Sequence, residues 1–464
     1  MVTVDNVNLD VLELIFSHLA GNDLPSVALV SRAFFAAVIP RLYSVLLFCL
    51  SQAKRYPGVM SPFAAIAVHP EFAIHVRHVD IRALPSVKDQ FNPKFLIECT
   101  RALALCHNLT SFQCSVNAFP PFISVLQKKD CLRDLRINAN LTTEQCSKMV
   151  GGAAQIRHLT LDFACWNVMD LLPRWAGAIQ SSLTTLTIFM ANELNETVLE
   201  SALEQLPNLL GLHVIGCTKV DHVSILSLVH HTPNLTALSM ATGDSSRALP
   251  TPAASLANLV HLALDMRFQN QAPAFLGGGT SAASVVLTSI FTHIAASSPS
   301  LTSFILKYPD RQTPPTIAPT FVQQQLIGAH GRTLKTIALI DCYAEMDVIS
   351  AICGSCVGLE RLEVMIPARD SKLFTAALSN SSTLRLLVDS NALNTQHPRR
   401  SGPNLTHDSL KQMFATVASL TKVVGGDRRV WTRRRDVHAS DFTVGVEHKP
   451  TVHSAAIHWF MPRE

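Results

Sequence analysis

One six-residue pattern constrains this chain more than any other feature. It consists of an apolar residue, two variable residues, an apolar residue, one variable residue and an apolar residue. It runs through Leu109-Phe112-Cys114, Leu132-Leu135-Ile137, Ile156-Leu159-Leu161, Leu183-Leu186-Ile188, Leu209-Leu212-Val214, Leu235-Leu238-Met240 and Leu259-Leu262-Leu264. It returns at Leu301-Phe304-Leu306, Leu334-Ile337-Leu339 and Leu359-Leu362-Val364, with weaker copies starting at Val76, Leu384 and Leu420. Successive starts from Leu109 to Leu259 lie 23, 24, 27, 26, 26 and 24 residues apart. Alternating apolar positions predict a short strand with one face buried. Leu212 then points inward and its neighbour His213 outward.

Between hexads the apolar spacing becomes helical. Val198, Leu199, Ala202, Leu203 and Leu206 share one face before Pro207-Asn208, and Val223, Leu226 and Val229 do so before Pro233-Asn234. Each unit reads as strand, loop, helix and turn, and it can bury its apolar face only against its neighbours. This period resembles the leucine-rich repeat family, whose units run to roughly 20–29 residues with Asn or Cys at the ninth position. That position holds Asn117, Asn140, Cys217 and Cys342, and Ala164, Ala191 or Gly243 in other units. An Asn there is expected to satisfy backbone groups at the bend leaving the strand. Two stretches break the period. Residues 266–283 contain Gly277-Gly278-Gly279, and residues 307–320 contain Pro309, Pro314, Pro315 and Pro319, read as an extended loop.

Residues 7–48 do not follow the repeat. Leu9, Val11, Leu12, Ile15, Phe16 and Leu19 form one face of a helix opening at Asn8, a good N-cap. Asp23 opens a second helix with Pro25 in its first turn. A third presents Leu29, Val30, Phe34, Phe35 and Val38 and ends near Pro40. Three short helices make a small core that needs support from a partner or a neighbouring domain.

This segment resembles the F-box family, whose pattern opens Leu-Pro-x-Glu and closes Leu-Val-Cys-Arg-x-Trp. Here Val7-Asn8-Leu9-Asp10 stands at the opening, Asp23-Leu24 in the middle and Leu29-Val30-Ser31-Arg32-Ala33-Phe34 at the close. Asn8 replaces the proline, Ser31 the cysteine and Phe34 the tryptophan. The resemblance implies an α/β chain in which a three-helix F-box (residues 1–50) precedes an irregular leucine-rich-repeat horseshoe (51–425) and a C-terminal capping segment (426–464). It also implies a substrate-recognition subunit of a cullin–RING ubiquitin ligase, not itself an enzyme. Its helices would dock on a Skp-type adaptor through Leu9, Leu12, Ile15, Phe16, Leu19, Leu24, Leu29, Val30 and Phe34. A repeat scaffold acting outside the ligase is the alternative.

In such repeats the variable hexad positions and the residue after the hexad line the concave face. Arg136, His158, Asp162, Phe189, His213, Ile215, His261, Asp265 and Lys307 are the candidate contacts to a target protein. Charges interleaved with apolar side chains suit a protein partner.

Composition narrows the other classes. The formal charge of +4 is too small to imply a nucleic-acid or acidic-membrane partner. With 48% hydrophobic and 16% charged residues, the chain has ample surface to bury. Eleven cysteines, an odd number scattered along the chain, predict reduced thiols in the cytoplasm or nucleus rather than a disulfide framework. The start lacks a signal-peptide pattern. The stretch Ala282–Ala296 is interrupted by Thr288, Ser289, Thr292 and His293 and reads as a buried helix, not a membrane span.

Candidate chemistry is sparse, and no cofactor, metal or catalytic residue is expected. Cys353 and Cys356 have CxxC spacing, but no second ligand pair accompanies them, so packing is the reading. His448, His453 and His458 recur every five residues, a spacing that leaves no common helix face. Arg428, Arg429, Arg433, Arg434 and Arg435 around Trp431 read as a solvated loop or, alternatively, as a clamp for phosphate, an acidic peptide or single-stranded nucleic acid. The sequons at Asn108, Asn140, Asn195, Asn234, Asn380 and Asn404 are read as by-products of the repeat.

Overall fold

The computed structural model describes residues 8–19, 23–88, 90–150, 155–243, 245, 247–267, 282–309, 314–367, 370–390, 405–426, 429–435, 442–448 and 458–463. The chain forms two compact units, Met1–Leu206 and Pro207–Glu464.

The first unit opens with three helices, α1 (Leu9–Phe16), α2 (Asp23–Ala28) and α3 (Arg32–Leu42). Asn8 accepts from the Asp10 amide and Ser31 from the Phe34 amide, so both outer helices start on the side-chain caps their sequences offer. Pro40 lies inside α3, which continues to Leu42. Leu29 and Val30 belong to the turn between α2 and α3, not to the third helix. Leu12 and Phe16 pack with Ala37 and Val38, flanked by Leu19, Leu24, Val27 and Phe34. The Phe16 and Phe34 rings stand 5.1 Å apart. Support for this small core comes from within the unit. Phe35 and Tyr43 meet Phe72 of the short helix Pro70–His75 at 6.1 and 4.7 Å.

Strands Val45–Phe48, His78–Ile81, Ser111–Cys114, Asp134–Asn138, His158–Asp162 and Thr185–Phe189 then pair in parallel, in chain order. Val79, Phe112, Leu135, Leu159 and Leu186 fall in one register row and are buried. The repeat therefore begins one strand earlier than the hexads indicate, because Val45–Phe48 pairs with the weak Val76 copy. In the second unit, strands Gly211–Ile215, Ala237–Thr242, His261–Met266, Ser303–Lys307, Thr336–Ile340, Arg361–Val364, Leu386–Asp389 and Lys422–Val424 pair in the same way. Leu212, Leu238, Leu262, Phe304, Ile337, Leu362 and Leu387 make the corresponding buried row. Both units have the parallel strand–helix architecture of leucine-rich repeats.

Two local devices repeat with the hexad. First, the residue at its eighth position turns left-handed: Phe163, Met190, Gly216 and Asp341 have φ of 53°, 56°, 77° and 55°. That sharp turn ends the strand, and the following residue (Ala164, Ala191, Cys217 or Cys342) is buried. Asn117 and Asn140, expected to serve the bend with their amides, are exposed instead. In those four units the backbone at position eight makes the bend, and the ninth side chain needs only to be small.

Second, a threonine at the hexad's second position ties neighbouring strands. Thr110 donates to the Arg77 carbonyl (2.9 Å), Thr184 to Arg157 (3.0 Å), Thr236 to Leu210 (3.0 Å) and Thr421 to Arg385 (3.0 Å). This accounts for the Asn-Leu-Thr runs at Asn108 and Asn234, whose threonines are two of these ties. Other sequon residues also have structural tasks: Asn195 caps the helix Glu196–Glu204, and Asn380 donates to Ser350.

The stretch with Gly277-Gly278-Gly279 lies outside the described residues. It is followed by the helix Ala282–Ala295, which buries Leu287, Ile290, Phe291 and Ile294. No described helix is long and apolar enough to cross a membrane. The proline-rich stretch, expected to be a loop, leads into a π-helical turn, Phe321–Ile327, that buries Phe321, Val322 and Leu326. After Lys422–Val424 the chain reverses. Arg429–Arg435 and Phe442–His448 extend the sheet antiparallel.

Candidate functional site

The residues proposed for adaptor contact divide into two sets. Leu12 and Phe16 are 3% and 4% exposed and hold the helices together, with Leu19, Leu24 and Phe34 packed beside them. Leu9, Ile15, Leu29 and Val30 face solvent, Leu29 and Val30 at 87% and 63%. Val11 and Leu14 are exposed as well. Only the second set is free to meet another protein; the first makes the module that presents it.

The outward face of the first unit's sheet is polar and largely self-paired. Arg136 Nε donates to Asp162 Oδ2 at 2.8 Å, with both side chains nearly buried. Arg82 and Asp80 pair at 2.6 Å. His158 stands 3.8 Å from Asp134, both substantially exposed, and the Phe189 ring lies edge-on to Phe163 at 6.0 Å. A buried Arg–carboxylate pair holds its own geometry but has already used the charge a ligand would need. His158 is the substantially exposed candidate contact of this group.

The second unit's outward face is different, and its exposure departs from the expectation. His213, Ile215, His261 and Asp265 are buried, although they occupy outward positions. The chain's own end covers part of this face. His213 Nδ1 lies 2.6 Å from Ser239 Oγ, and the His213 ring meets Phe460 at 5.8 Å. The Phe460 carbonyl accepts from Ser239 Oγ at 3.1 Å and from His261 Nε2 at 2.9 Å. Since a carbonyl only accepts, His261 carries its proton on Nε2, and its Nδ1 accepts from Ser303 Oγ at 2.9 Å. His458 stacks on Phe460 at 4.8 Å. The Lys307 ammonium sits 5.1 Å from the Trp459 ring centroid, a cation–π contact. Arg463 pairs with the fully buried Glu363, which Arg361 also approaches at 3.4 Å. Asp265 pairs with Arg267 at 2.6 Å.

Burial keeps both histidines neutral. It pulls His213 down to about 3, with His261 and His458 adding repulsion. It pulls His261 down to about 4, partly opposed by the Phe460 carbonyl.

Trp459, Phe460 and Arg463 were not among the sequence candidates. A signal for them exists in the outward positions themselves. Gly211, Ala237, Ala263, Ile305, Ala338 and Ile340 are small or apolar where a solvated face would be polar, so something must cover them.

The arginine-rich segment is a strand, not a solvated loop. Trp431 is buried, the Arg433 guanidinium lies 4.5 Å from the Phe442 ring centroid and donates to the Ala418 carbonyl, and Arg434 pairs with Glu447 at 3.1 Å. Arg428 and His453 lie outside the described residues. His448 ends the last strand. Cys353 and Cys356 are buried, and burial raises their thiols to about 12 and 11, as packing residues require. All eleven cysteines are free thiols.

No family model matches the sequence. Among solved structures, the chain is similar to the Rad7 and Elc1 complex of yeast, at 15% identity and a TM-score of 0.37, over 70% of this chain and 72% of that one. It is also similar to the mouse RP105/MD-1 complex, at 14% identity and a TM-score of 0.33, over 67% of this chain and 46% of that one.

Proposed function

We propose that this protein is the substrate-recognition subunit of a cullin–RING ubiquitin ligase. The N-terminal helices dock on a Skp-type adaptor, and the outward faces of the repeats hold the target. The observation that carries the reading is the exposed apolar set Leu9, Ile15, Leu29 and Val30 on a three-helix module whose own core is complete. Large apolar side chains left exposed on a folded module mark a candidate interaction surface. Its position matches the F-box-like run Leu29-Val30-Ser31-Arg32-Ala33-Phe34.

The protein's contribution is proximity. By holding the target beside ubiquitin carried by partner subunits, it turns a bimolecular encounter into a local one and needs no catalytic group. Co-expression with a Skp-type adaptor tests the reading. A stable complex at equal stoichiometry is expected. Separate elution of the two folded proteins would reject it in favour of a scaffold working without the ligase.

A further inference from the structure

The contacts of residues 458–463 are those of a bound peptide rather than of a repeat. The segment adds no strand to the sheet and forms no helix. It lies on the face opposite the hexad leucines. There the floor is kept shallow by Ala237, Ala263 and Ala338, each buried and each from a different strand.

One anchor is main-chain: the Phe460 carbonyl takes two hydrogen bonds, from Ser239 and His261, which read backbone and not side-chain identity. Aromatic anchors follow, with Phe460 on His213 and Trp459 under Lys307. The last anchor is ionic, where Arg463 reaches Glu363 and also donates to the Trp459 carbonyl at 3.2 Å. Glu363 Oε1 has no hydrogen-bond partner among the described residues.

We propose that the outward face of the second unit is a peptide-binding groove whose intramolecular ligand is the chain's own segment 458–463. Its external ligand is a target segment of the same chemistry: two adjacent aromatic residues followed three positions later by an arginine. The inference rests on the receptor reading and deepens it by naming what this face recognises. A ligand on the same chain competes with an external one at an effective concentration set by its tether, on the order of millimolar for a short flexible one. The groove then rejects weak peptides and admits those that outbid its own tail.

The test uses the full chain with a protease site introduced between residues 449 and 457. After cleavage of the folded protein, a labelled peptide covering residues 454–464 is added. The expected result is saturable binding by the cut protein, at least tenfold weaker binding to the uncut protein, and at least tenfold loss when the peptide carries Arg463→Glu. A tail fragment that does not exchange with excess peptide while circular dichroism is unchanged would overturn the proposal, making the segment a permanent part of the core. Unfolding on release would do the same. An uncut chain carrying Arg463→Ala gives a second arm. It should bind the labelled peptide at least tenfold more tightly than wild type, and equal binding would count against the groove. Neither arm contains the adaptor, so the outcome is independent of whether the N-terminal helices bind one.

Discussion

His261 Nε2 donates to the carbonyl of Phe460 at 2.9 Å, joining two residues 199 positions apart. The bond seats the end of the chain on a sheet face that the hexad pattern alone leaves open to water. It also makes several outward residues structural, with consequences that differ from a simple inward–outward alternation.

The alternation predicts that Leu212 supports the core and that His213 tolerates change. Leu212→Ala should cost about 2–5 kcal/mol through a cavity in the leucine row. His213→Ala should now cost about 1–3 kcal/mol, because Ser239 loses a buried partner and Phe460 loses a packing surface. Denaturant unfolding of the two variants measures this. A cost below about 0.5 kcal/mol at His213 would mean that the tail does not cover it in solution.

Acid should weaken the second unit. His213 and His261 have ordinary values of 6.5 and are depressed in the fold to about 3 and about 4. The unfolded chain takes up these protons first, so the stability they contribute is complete above pH 6.5 and declines as pH falls through the window towards 4. His222, His293 and His330 are also depressed by burial and act in the same direction. Urea midpoints between pH 7.5 and 4.5 should fall steadily, and less so in His261→Gln. Midpoints that hold constant over that range would contradict neutral, buried imidazoles.

The Arg136–Asp162 pair should behave as a buried ion pair in the first unit. Asp162→Ala removes the carboxylate that Arg136 Nε meets at 2.8 Å and should cost about 3–5 kcal/mol. Replacing both partners with apolar residues of similar volume should come close to wild-type stability. A thermal melt of the single and double variants separates this from a surface pair, whose loss costs about 0–1 kcal/mol.

The repeat was legible because its signal is local and recurrent. Hexad starts about one period apart predict which leucine stacks on which, and Leu212 does stack on Leu238 and Leu238 on Leu262. The three helices were legible through Asn8, Ser31 and the apolar faces. The division of those faces was not: periodicity cannot tell Leu12, buried in one cluster with Val38, from Ile15, which is 52% exposed. The tail was invisible to the same reasoning because 458–463 has no period, and its seat is assembled from strands about 100 to 245 positions away. Phe163 and Met190 at left-handed φ were equally hidden, since neither residue type announces such a turn.

The most direct test of the receptor account is calorimetric titration of a purified Skp-type adaptor into the full chain, comparing wild type with the double variant Leu29→Asp, Val30→Asp. Both side chains are exposed, so the variant should melt at the wild-type temperature. Burying two carboxylates in an apolar interface should weaken binding by roughly 100-fold or more. Saturable binding by wild type and its loss in the folded variant is the predicted result. Absence of binding by wild type, or equal binding by both, would contradict the account.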